Sequence, residues 1–301
     1  MHPAPSVILF TVLSGLGFGI LFYLDAGVLH PTGTGALFAF GAAYGAAVAG
    51  LLASTFHLGN PQRALRAFTQ WRTSWLSREG WASVAALMAS APVALSAAFG
   101  PADRGPGIGV LGLVGAGLCI ATITCTSMIY AQLKTVPRWN HWTTPLLYLL
   151  FALAGGAILT TSGQTAGALC VLLGAAMFFT YRLGDKQFSA RGSSLAAATG
   201  LGAAGAVRVF APAHTAGNYV MKEMIHGVGR KHARKLRAIS VWCAALLPAA
   251  LLIVFPASLP VAFLALALHL GGAFTQRWLF FAEAEHVVSH YYGRPVGAPG
   301  R

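Results

Sequence analysis

The chain alternates long apolar runs with short polar gaps, and the length of each run decides its element. Eight runs approach or exceed the roughly 20 residues that a helix needs to cross the hydrocarbon layer. They cover residues 6–29, 34–58, 80–100, 107–132, 144–162, 165–183, 239–257 and 260–281. Pro31, Pro61, Pro101, Pro106 and Pro137 stand in the gaps, where a residue without a backbone N–H ends a helix at little cost. Runs such as "GAAYGAAVAG" are rich in Gly and Ala, which lets spanning helices approach closely. The expected fold is therefore all-α and integral to a membrane. It is an eight-transmembrane-helix bundle, a single domain over residues 1–301, with a long loop at about 184–238 between the sixth and seventh helices. The first run lacks flanking Lys or Arg and is too long for a signal-peptide core, so it reads as a retained membrane helix. Residues 195–211, "LAAATGLGAAGAVRVFA", imitate a ninth span, but their glycines and Arg208 argue against one.

Composition agrees. The chain is 56% hydrophobic and 9% charged, where a soluble domain carries about 25% charged residues. The net charge of +13 would suggest nucleic acid in a soluble protein. Here the bases lie between apolar runs, and membrane orientation explains them better. Counted by the side of the nearest gap or chain end, all of the 20 Lys and Arg except Arg104 share one side. That side is expected to face the cytoplasm, with both termini, in a bacterial inner membrane. Cys119, Cys125, Cys170 and Cys243 sit inside apolar runs and form no CxxC pair, so the sequence encodes neither an iron–sulfur nor a zinc site.

The long loop ends in "NYVMKEMIHGVGRKHARKLR", residues 218–237. Met221, Met224, Ile225 and Val228 recur at helical spacing with bases opposite, the pattern of an amphipathic helix. Two readings stand. The helix lies on anionic lipid, or Arg230, Lys231, Arg234 and Lys235 dock a soluble subunit.

The scarce chemistry gathers in "STFHLGNPQRALRAFTQWRTSWLSREGW", residues 54–81. His57 ends the second helix, Arg63 and Arg66 follow, and Glu79 opens the third, where the helix dipole favours an acid. Trp71, Trp75 and Trp81 suit the headgroup zone. A titratable His, a titratable Glu and fixed positive charge at the membrane edge match what quinone or quinol chemistry needs. That is an apolar place for the ring, a hydrogen-bond partner for its oxygens, and a proton donor or acceptor. Positive-inside arginines beside a capped helix are the plainer account. His141, His269 and His286 are secondary candidates. His269, in the middle of the eighth run, could hydrogen-bond to a neighbouring helix or line a proton path; it could also ligate a b-type haem. That reading is disfavoured, because a bis-His haem needs a second inward His at matching depth and His57 lies nearer the edge. Asp25, near the far end of the first helix, reads as a cap or a proton entry. Thr122, Thr124, Thr126 and Ser127 are expected to bond to the backbone or to other helices. A transporter or ion-translocating subunit is the alternative from another class, but charges clustered at one face count against a midplane substrate site.

Three segments carry a resemblance: the stretch from Ser54 to Glu79, "CTSMIYAQLKTVPRWNHWTTPLLYLLF" and "QRWLFFAEAEHVVSHYY". They resemble the membrane-anchor subunit of the dimethyl sulfoxide reductase family. The resemblance implies an eight-helix anchor that exchanges electrons with ubiquinone or menaquinone and has no redox metal of its own. It implies a four-cluster iron–sulfur subunit and a molybdopterin catalytic subunit as partners. The family's quinol-site His, Arg and Glu fall on His57, Arg63 and Glu79. The basic loop "HTAGNYVMKEM…RKHARKLR" is similar to the anchor of sulfite:quinone dehydrogenases, which work on the cytoplasmic face and send electrons from sulfite to quinone. The alternative is the anchor of a dimethyl sulfoxide-type reductase that oxidises quinol.

Overall fold

The computed structural model describes residues 3–56, 60–101, 105–192, 194–208, 210 and 232–292. Eight helices are long and apolar enough to cross a membrane. They are α1 (Pro5–Asp25), α2 (Gly33–Thr55), α3 (Trp75–Phe99), α4 (Pro106–Ala131), α5 (Thr143–Thr160), α6 (Gly163–Ala190), α8 (Ala233–Val254) and α9 (Leu259–Ala282). A five-residue helix, α7 (Leu195–Thr199), stands where a ninth span was imitated. It ends at Gly200, which takes φ 71°, a conformation that L side chains rarely adopt.

Two boundaries move, each for a local reason. The third helix starts at Trp75, not at residue 80. Ser74 caps it by accepting from the Ser77 amide, and Arg78 reaches back to the carbonyls of Trp71 and Arg72. Glu79 therefore does not open the helix as expected; it sits more than a turn inside. The sixth helix runs on to Ala190 and α8 begins at Ala233, so the loop between them is shorter than 184–238. At 28 residues α6 is about 42 Å long. It outreaches the apolar layer, and its last turns carry Arg182, Asp185 and Lys186. Arg230, Lys231 and most of the expected amphipathic helix 218–237 lie outside the described residues. Arg234 and Lys235 are exposed on the first turn of α8.

Helices α1 and α5 form the centre of the bundle. Both are mostly buried, whereas the other spans keep outward apolar faces with exposed side chains such as Phe38, Met88 and Phe99. Close packing of α1 on α5 depends on glycine. A Cβ on Gly19 would overlap the Ala152 carbonyl, and one on Gly156 would overlap Gly19 itself. A π-helical turn, Trp242–Leu246, interrupts α8 where it meets α9. There the Ala244 carbonyl lies 2.7 Å from His269 Nδ1. At the far end of the bundle, Asp25 is buried and accepts a hydrogen bond from Ser90 of α3, tying α1 to that helix.

The connections α2–α3, α4–α5 and α6–α8 and the segment after α9 share one end, the basic one. Four side chains clamp it. Arg237 makes a bidentate pair with Asp185 (2.6 and 2.8 Å) and also bonds Glu283 at 2.7–2.8 Å. Arg138 pairs with Asp185 at 2.7 Å. These ties join the α4–α5 loop, α6, α8 and the end of α9. The Val287 amide adds a bond to the Thr135 carbonyl.

Candidate functional site

Glu79 is 3% exposed, inside the third span near the basic end. Its partner is Thr126 of α4, whose hydroxyl donates to the carboxylate and is also within reach of the Thr122 carbonyl. Of the four hydroxyls singled out on α4, Thr122, Thr124 and Ser127 only return to their own helix. Among the described residues, Thr126 alone of the four reaches a carboxylate.

Arg63 and Arg66 lie on a 3₁₀ helix, Pro61–Phe68, and are exposed. Three residues apart at three residues per turn, they share one face. Among the described residues Arg63 makes no ion pair with Glu79. His57 lies outside the described residues. Beside the 3₁₀ helix, Phe68, Thr69, Trp71, Arg78 and Trp81 line an open cleft of about 620 Å³. Phe68 and Trp81 meet edge to face, with ring centroids 5.5 Å apart, and the Trp81 indole donates to the Phe68 carbonyl. Arg78 lies over the Trp75 ring at 4.4 Å.

The structure adds a group that the charge pattern concealed. Arg277, counted as an orientation charge, is 3% exposed within α9. Its guanidinium stacks 3.6 Å above the Tyr148 ring and bonds Gln276 at 3.0 Å. A desolvated cation–π contact of this kind contributes about 2 kcal/mol. No carboxylate pairs with Arg277 among the described residues. Tyr130 and Tyr148 lie within the fields of both Glu79 and Arg277. Thr126, Tyr148, His269 and Arg277 share a small cavity of about 20 Å³. The signal available in the sequence was position: Arg277 lies inside the eighth apolar run, whereas the other counted bases lie at its edges or beyond.

The three secondary candidates, His269, His141 and His286, each make a local contact. His269 Nδ1 carries a proton to the Ala244 carbonyl, and its Nε2 faces Gly155 so closely that a Cβ there would lie 3.0 Å away. His141 Nδ1 accepts from the Thr143 amide at the start of α5, and burial pushes its pKa down. His286 Nδ1 accepts from the Val288 amide, and burial again lowers its pKa. Both histidines therefore serve as neutral acceptors that order turns at the basic end.

The profile of one family, the DMSO reductase anchor subunit (DmsC), matches residues 1–282. The chain belongs to that family. Membership makes it a membrane-anchor subunit, and its eight spanning helices make it multi-pass. Among curated proteins the anchor is similar to a sulfite dehydrogenase subunit from Allochromatium vinosum. The two are 31% identical over 97% of this chain and 99% of the relative. No solved structure matches.

Proposed function

We propose that this chain is the quinone-reactive anchor of a three-subunit oxidoreductase. It passes electrons from a four-cluster iron–sulfur subunit to the quinone pool, while a molybdopterin subunit oxidises sulfite. Family membership supports the anchor role, and likeness to a sulfite dehydrogenase subunit supports the substrate. The observation that carries the quinone reading is the Glu79–Thr126 pair. It is a carboxylate kept inside a membrane span, and such groups are functional by default because burying them is costly.

The residues fit a quinone at the membrane edge. The inner cavity of about 20 Å³ has room for water but for no ring, whereas the aromatic cleft of about 620 Å³ lies within the range of ligand pockets. Phe68, Trp71 and Trp81 would hold the ring, and His57 would bond one of its oxygens. When bound, a quinone supplies a carrier for two electrons and two protons. Glu79 gives or takes a proton from inside the bundle, and Thr126 donates to its ionised form. Arg63 and Arg66 hold positive charge at the headgroup level. The anchor sits in the bacterial inner membrane with both termini and the basic loops on the cytoplasmic side, where the soluble subunits dock.

The test is purification of the complex followed by assay. Molybdenum and iron–sulfur clusters should co-purify, and sulfite should reduce quinone. A preparation without either centre defeats the anchor reading. The family's own description favours one second reading, quinol oxidation coupled to sulfoxide reduction. Turnover with dimethyl sulfoxide and none with sulfite would establish it instead. A reporter fused after Arg301 should be active only as a cytoplasmic fusion; periplasmic activity reverses the sidedness.

A further inference from the structure

A second cavity, of about 30 Å³, lies against the first. Tyr148 and Arg277 wall both. The first reaches Thr126, the partner of Glu79; the second reaches Thr180, Gln276 and Glu283. Each exceeds the roughly 10–15 Å³ that a water needs, and each offers several polar partners. The hydroxyls of Tyr148 and Thr180 are buried and find no partner among the described residues. Buried polar groups are almost always hydrogen-bonded, so hydroxyls like these point to bound solvent. Glu283, at the outer end of the second cavity, is bonded by Arg237. Arg237 also holds Asp185, which is 45% exposed at the basic end. Polar groups on the walls of the two cavities therefore lie between the Glu79–Thr126 pair and the exposed Asp185.

We propose that the two cavities hold a short chain of ordered water. This chain, passing Tyr148 and Arg277, carries protons between Glu79 and the Glu283–Asp185 pair. The inference rests on the quinone reading of Glu79. Each proton that Glu79 gives up at the membrane edge is replaced along the chain from the surface. Only O–H bonds break and form. The electrons are those that the partner subunits deliver, and no further oxidant or reductant enters. Arg277 is a positioning residue here. It orients the water and offsets the charge of an ionised Glu79 without touching the quinone.

The test uses the purified complex with Tyr148→Phe, which deletes the hydroxyl at constant shape, and Thr180→Leu, which fills the second cavity. Co-purification of the soluble subunits with the anchor reports assembly, and sulfite turnover with a water-soluble artificial acceptor reports an intact catalytic subunit. Quinone-coupled turnover should fall about tenfold or more in Thr180→Leu, a modest share of what a positioned proton donor contributes. Its solvent deuterium isotope effect should rise as proton delivery becomes limiting. Tyr148→Phe should show a smaller change of the same kind, and Thr180→Val stands in if the leucine prevents assembly. An independent readout is water density: cryo-electron microscopy of the wild-type complex should show ordered water within hydrogen-bond reach of Tyr148 Oη and Thr180 Oγ1. Dry cavities, or wild-type quinone turnover and isotope effect in both variants, overturn the path. If Glu79→Gln is inactive with quinone under those outcomes, the path alone fails. If Glu79→Gln is also unaffected, the quinone reading fails with it.

Discussion

The α2–α3 connection and the α4–α5–α9 core carry comparable chemistry at the same end of the bundle, but in opposite settings. The connection presents Arg63 and Arg66 to solvent and headgroups on a short 3₁₀ helix, beside an open aromatic cleft. The core holds Arg277 on the Tyr148 ring, next to the cavity reached by the partner of Glu79. An exposed arginine interacts weakly, because water screens it and its side chain keeps its freedom. A buried one feels every nearby charge strongly, because little solvent lies between them. Under the proposed function the difference would separate two tasks, gathering an apolar ring with a polar head at the edge and managing protons inside. Glu79 lies on the same helix as Arg78 and Trp81 of the cleft, and its partner Thr126 lines the inner cavity.

The largest expected effect therefore falls on Glu79. Glu79→Gln, and His57→Ala at the edge, should each lower quinone-coupled turnover by about 10²–10⁴-fold, the usual contribution of a positioned acid or base. Turnover with an artificial acceptor should survive, since the molybdenum subunit is unchanged. If both variants keep wild-type quinone turnover, the two residues are structural and the division of tasks has no centre.

The two arginines give a sharper contrast. Arg277→Met should reduce quinone-coupled turnover about tenfold more than Arg63→Gln, a difference of about 1.4 kcal/mol. Arg277→Lys should recover part of the loss, because it keeps the charge but not the planar stack on Tyr148. If the exposed arginine proves the more costly to lose, the core is scaffolding and the edge does the chemistry.

Much of this was legible in the sequence. Run length and proline placement located all eight spans, because the bilayer imposes a minimum length and satisfies no backbone donor. The α3 start was missed by five residues because capping by Ser74 is a local event inside a polar stretch that hydropathy cannot divide. That shift also moved Glu79 from a helix opening to a buried position. Arg277 was missed for a different reason. A tally of charges by side treats every arginine near a span end alike, and only packing tells a headgroup charge from one stacked on Tyr148. The ion network of Arg138, Asp185, Arg237 and Glu283 joins residues up to 145 positions apart, a pairing to which no local pattern points.

Next in size is docking. Arg234 and Lys235 stand exposed at the start of α8, and surface charges of this kind contribute roughly 0.2–1 kcal/mol each. Reversing both to Glu should weaken attachment of the soluble subunits a few-fold, and reversing Arg230 and Lys231 as well should release them into the soluble fraction. Attachment that survives all four reversals makes this segment a lipid-facing surface. Raised salt should mimic the milder change, because exposed charges are screened beyond about 10 Å at 0.1 M.

The smallest effect belongs to the turns that frame both regions. His141 and His286 each accept a backbone hydrogen bond at Nδ1, and burial lowers the pKa of each below the ordinary value of 6.5. A lowered histidine pKa means that the unfolded chain binds protons more readily than the folded one as pH falls. The stability that these contacts supply is therefore fully present above about 6.5 and is lost as pH drops through that value towards the folded pKa. Both rings are only half-buried, so solvent moderates the change. Limited proteolysis of the complex in detergent should show faster cleavage near the α4–α5 loop and after α9 in mild acid, with the spans unaffected. His141→Gln separates this from a general acid effect. Its amide oxygen accepts the Thr143 bond without titrating, so the pH dependence of cleavage at that loop should flatten while cleavage after α9 keeps its slope. If the slope at the α4–α5 loop stays as in the wild type, another titrating group governs the basic end.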